Sequence, residues 1–144
     1  MYLHVVNTWF IANLLHPVIL FFYFEGAENF EPEMIGFGLQ FLVLSFLFSL
    51  PSLLLGMGII YTLFKLSFSV TGRYILWLIV TLLIVIINFW IIFYGFSGAH
   101  INKNDFEIII PALIATGITV ITRHAPFFQL TAQLKSKENE DSLV

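Results

Sequence analysis

The chain contains no cysteine. Disulfides, thiolate nucleophiles and cysteine-ligated metals are therefore excluded, while the redox compartment is left open. Charge is nearly as scarce, with six Lys or Arg and nine Asp or Glu in 144 residues, or 10%. Soluble domains carry about 25%. The few charges are also confined, since residues 1–24, 34–64, 74–102 and 108–122 hold no Asp, Glu, Lys or Arg. Basic residues are missing from the first 24, and that stretch ends in bulky aromatics, Phe21, Phe22, Tyr23 and Phe24. A cleaved signal peptide needs a basic start and a small-residue cleavage site, so the stretch is read as a retained first helix. Basic patches are absent as well, and the net charge is −3, which gives no nucleic-acid signature.

What remains is apolar: 59% hydrophobic residues and a mean hydropathy of +0.95. A helix crossing the roughly 30 Å hydrocarbon core needs about 20 residues. Three of the charge-free windows exceed that, and the fourth reaches it because Glu107 and Arg123 can extend to the headgroups from its ends. Runs such as Tyr74 to Asn88 are apolar on every side, which favours helices over the alternating strands of a membrane barrel. The expected fold class is all-α, a polytopic membrane protein built as a four-transmembrane-helix bundle. Its spans lie at about 3–24, 34–60, 74–97 and 106–125, making a domain of residues 1–126, and a polar tail at 127–144 has a disordered distal half.

Span two is the irregular one, because its 31 charge-free residues are too many for a perpendicular crossing. Tilt, a kink at Pro51, or an end near Gly56 and Gly58 followed by an interfacial helix would each absorb the excess. Span four carries Pro111 in its first turns, with Asn104 or Asp105 placed to cap it. Orientation follows from Lys65, Arg73, Arg123, Lys135 and Lys137 falling on one side, with Lys103 alone on the other. That bias puts both termini in the cytoplasm of a multi-pass protein of the plasma (inner) membrane, and the connection bearing Glu25, Glu28, Glu31 and Glu33 outside. No internal repeat of the kind found in inverted-repeat transporters is visible.

Few residues suggest chemistry. Asn13 and His16, at i and i+3, share a helix face with Trp9, and Asn88 is the strongly polar residue inside span three. Polar groups at membrane depth need partners, so these three form either a polar site or helix-packing contacts. A small-residue seam on span two, Gly38, Ser45, Ser49, Ser52 and Gly56, has a counterpart on span four in Ala112, Ala115, Thr116, Thr119 and Thr122, suggesting that these two spans pack together. Arg123 and His124 end span four and are candidate lipid-headgroup contacts or complements to the helix dipole. No two histidines lie at matching depth for haem and no metal-ligand spacing occurs within a span, so no cofactor or metal is expected. No serine or threonine lies near a histidine and a carboxylate in sequence, so no catalytic group is expected. The expected partners are the lipid bilayer and other membrane subunits or a second copy. The expected function is non-enzymatic association, as an accessory subunit or homo-oligomer; the alternative is a small channel or transporter with a polar path through His16, Asn13 and Asn88.

Overall fold

A computed structural model describes residues 1–24, 26, 34–97 and 105–141. It is all-helical: α1 spans Tyr2–Phe24, α2 Met34–Lys65, α3 Val70–Ser97, α4 Asp105–Thr122 and α5 His124–Asp141. The connection bearing Glu25, Glu28, Glu31 and Glu33 and the one bearing Lys103 and Asn104 lie outside the described residues. Helices α1, α2 and α3 are long and apolar enough to cross a membrane. A fourth span is reached if α4 and α5, bent by 51° at Arg123, are counted together.

The distribution of side chains inverts that of a soluble protein. On α1 the buried set is mostly polar, His4, Thr8 and Asn13 with Val5, whereas Leu3, Phe10, Leu14, Val18 and Phe22 are exposed along the opposite side. Ile75, Ile79, Leu83, Ile87 and Ile91 form an exposed apolar row on α3. Water would penalise such surfaces, and hydrocarbon accepts them while driving polar groups inward to find partners.

Helix α2 is continuous through Pro51 for 32 residues, roughly 48 Å, so it does not break into a span and a separate interfacial helix near Gly56. Helix α1 packs against α4 and α2, and α3 packs against α2 and α4. The expected pairing of spans two and four is not seen: among the described residues α2 and α4 are not a packed pair, and Ser45, Ser49, Ser52 and Gly56 of α2 and Ala112 and Thr116 of α4 line a common cavity instead.

The segment after Pro126, expected as a polar tail, is helical to Asp141. Its Phe127 is completely buried and Thr131 nearly so, one turn apart. Phe127 joins Val5, Ile60, Leu63, Trp77 and Val120 in the buried core. The rings of His4, Phe64 and Tyr74 surround it at centroid distances of 5.5–5.7 Å. Helix α5 therefore closes one end of the molecule, where α1 begins and α4 ends.

Candidate functional site

Most of the side-chain hydrogen bonds between helices lead to α2; an exception among the described residues is Tyr74 on α3, whose hydroxyl donates to the Val120 carbonyl on α4 at 3.3 Å. Asn13, 6% exposed, donates from its amide nitrogen to the Trp9 carbonyl one turn back, at 2.9 Å. Because that carbonyl only accepts, the amide orientation is determined, and the Asn13 oxygen must face α2. There it accepts from Ser45 Oγ at 2.7 Å and Ser49 Oγ at 2.9 Å. Trp9 Nε1 donates to Ser49 Oγ at 2.9 Å and lies 3.1 Å from the Ser49 carbonyl. His16 Nδ1 lies 3.2 Å from Ser45 Oγ. Asn88 on α3 donates to the Phe48 carbonyl at 2.9 Å.

Pro51 withdraws the N–H that would serve the Leu47 carbonyl one turn back. The next two carbonyls, of Phe48 and Ser49, receive side-chain donors from α3 and α1.

These residues border a cavity of about 330 Å³. Asn13, His16, Asn88, Ser45, Ser49, Ser52, Gly56, Ala112 and Thr116 all line it. The remaining walls are largely apolar and aromatic, including Phe41, Phe48, Phe89 and Ile92. The buried core around Trp77, Val5 and Phe127 lies at one end, and His16, Phe41 and Ile92 lie at the other. The lining hydroxyls of Thr8 and Thr81 are bonded to the carbonyls of His4 and Trp77 in their own helices. His16 Nε2 and Trp77 Nε1, on residues that line the cavity, are themselves enclosed by protein and have no hydrogen-bond partner among the described residues.

The structure thus brings Asn13, His16 and Asn88 to one cavity and connects the first two through Ser45. Gly56 marks a close approach, since a Cβ there would meet Val5 Cγ1 at 3.1 Å and the Trp77 ring at 3.7 Å. Gly38 borders nothing comparable and lies off the cavity. On α4, Ala115, Thr116 and Thr119 are buried, and the Thr119 and Thr122 hydroxyls bond to carbonyls of their own helix, at Ala115 and Thr119. Arg123 and His124 sit at the α4–α5 bend, with His124 Nδ1 3.1 Å from the Ile121 carbonyl. Among the described residues no three of His, Asp or Glu gather as metal ligands would. Sequence reasoning missed Trp77, Thr81, Phe41 and Phe48 as cavity walls; they are indistinguishable in type from the residues facing lipid.

No protein-family model matches the chain, and neither a curated protein nor a solved structure matches it significantly.

Proposed function

We propose that this chain is a small integral membrane protein that performs no catalysis and holds an apolar molecule in the cavity between its spans. The observation that carries the reading is the cavity itself, about 330 Å³ and walled mainly by apolar and aromatic side chains with a few directed polar groups. That is the usual make-up of a small-molecule site, at the lower end of the customary size range. In the same reading α1 to α4 cross the plasma (inner) membrane as a four-helix bundle with both termini cytoplasmic. Lys65, Arg73 and Arg123, at the end of α2, the start of α3 and the end of α4, support that orientation.

Association with other membrane subunits or a second copy rested on small-residue seams free to meet another helix. Ser45 and Ser49 instead bond to α1, and Ser52, Gly56, Ala112 and Thr116 face the cavity. A polar path for ions would need polar groups along its whole length. The Asn13–His16 network is a small part of a lining that is otherwise largely apolar and aromatic, so an apolar occupant fits better.

Delipidated protein in detergent should bind an environment-sensitive apolar fluorophore saturably. Ala112→Phe, which places a ring in the cavity, should weaken that binding about tenfold or more, equivalent to roughly 1.4 kcal/mol. Leu54→Phe, on the exposed side of α2, should leave it unchanged. Binding that is indifferent to Ala112→Phe would overturn the proposal.

A further inference from the structure

We propose, building on the reading of the cavity as a ligand site, that it opens sideways into the bilayer between α2 and α3 and takes one acyl chain of a phospholipid. The headgroup of that lipid stays at the interface.

The lining residues differ in exposure from one end of the cavity to the other. Val5, Thr8, Gly56 and Trp77, toward α5, are buried and close it there. Leu44 and Phe48 line it too, yet each is 46% exposed, so they form its rim. Each stands one position before a serine bonded to α1, Ser45 or Ser49, and so lies about 100° round α2 from it. The α1 side of α2 is shut by those bonds and by the one from Trp9. Phe48 is also where Asn88 of α3 bonds to α2, and that bond is itself exposed. The rim therefore lies between α2 and α3.

Depth decides what meets that rim. Leu44 and Phe48 lie roughly 15 and 21 Å along α2, a helix of roughly 48 Å, and Asn88 roughly 27 Å along α3, one of roughly 42 Å. All three fall inside the middle ~30 Å of their helices, where the surroundings are hydrocarbon. No Asp, Glu, Lys or Arg is among the described lining residues, so a phosphate or ammonium drawn inside would lose its hydration without a counterpart. At ~30 Å³ per methylene-sized group, a volume of about 330 Å³ suits on the order of ten methylenes, part of one chain and far less than a whole lipid. An apolar cavity stays dry, and filling it restores the dispersion contacts that a void forfeits. The rim lies in the half of α2 away from Lys65, and Gly56, with the Trp77 ring beside it, lies roughly 12 Å beyond Phe48 toward Lys65. The chain thus enters from the leaflet at the start of α2 and points its terminus at Trp77.

Trp77 supplies the test, since Trp9→Phe with Trp90→Phe leaves it as the single tryptophan. It lies one turn inside Arg73, at the depth where lipids around the bundle place the carbons next to their headgroups. A chain entering at the rim places its terminus there instead. The double variant is reconstituted in phosphatidylcholine brominated either near the headgroup or near the chain terminus, and tryptophan emission is read. Terminal bromines should quench Trp77 more than proximal ones, and adding Ala112→Phe should remove the excess. Stronger quenching by proximal bromines, or a terminal excess indifferent to Ala112→Phe, traces to surrounding lipid and overturns the proposal. No terminal excess, with the apolar fluorophore still binding delipidated protein, overturns the acyl chain and leaves a ligand site. Absence of fluorophore binding removes the site itself and the chain with it. Should the double variant not fold, the wild type decides. Dioleoyl phosphatidylcholine should displace the fluorophore at a concentration within about tenfold of that of an alkene of the same chain length. Displacement by the alkene alone, or by neither, overturns the proposal.

Discussion

Asn13 concentrates more dependence than any neighbouring side chain, because one amide joins the Trp9 carbonyl to two serines on another helix. Replacing it by leucine removes the acceptor shared by two hydroxyls; Ser49 Oγ keeps the Phe46 carbonyl at 3.2 Å, whereas Ser45 Oγ is left with the His16 ring alone. A stranded buried group costs about 1–3 kcal/mol in soluble proteins, and interhelical bonds in membranes average about 0.6 with a maximum near 1.7. Asn13→Leu should therefore lower stability by about 1–2 kcal/mol in mixed-micelle unfolding. Ser49→Ala should cost less, since Trp9 Nε1 keeps the Ser49 carbonyl. The reverse order would show that the network is not organised around Asn13. The shared face of Trp9, Asn13 and His16 was readable from helical spacing. Their partners were not: Ser45 and Ser49 were visible as small residues without their direction, and the Phe48 carbonyl that receives Asn88 belongs to a backbone that leaves no mark in sequence.

Helix α2 shows how one element can carry two opposite sides. Gly56 is buried where α1, α2 and α3 come close, while Gly58 is exposed and has nothing within 4 Å of its would-be Cβ. Gly56→Leu should destabilise the fold by about 1–3 kcal/mol through overpacking against Val5 and Trp77. Gly58→Leu should be neutral or slightly stabilising, because leucine exceeds glycine in helix propensity by up to about 1 kcal/mol. Matched losses at both positions in thermal unfolding would contradict the close approach. The proline and both glycines were legible as irregularities, but the sequence did not say that α2 continues through them as one helix. Helix α5 was hidden for a different reason. Its buried Phe127 and Thr131 are embedded in a polar segment, and only the ring cluster of His4, Phe64 and Tyr74 gives them something to pack against.

At the scale of the whole molecule, the lack of native cysteine makes sidedness directly measurable. Single substitutions Ser67→Cys and Ser136→Cys should react with a membrane-impermeant thiol reagent from the cytoplasmic side, and Lys103→Cys from the other. Labelling of Ser67→Cys and Ser136→Cys from opposite sides would contradict the proposed topology. The sequence by itself determined the helical class and the candidate spans, because a long run without charge has one economical arrangement in hydrocarbon, in which each backbone group is satisfied within its own helix. Which polar residues meet, that Ser45, Ser49, Ser52 and Gly56 border a cavity with Ala112 and Thr116 rather than packing on α4, and that α5 closes one end came from the tertiary structure. The physical reason is that these depend on helix rotation and neighbour choice. On helices apolar all round, hydrophobicity scarcely distinguishes one rotation from another, so a few directional hydrogen bonds and a close approach at Gly56 decide the arrangement.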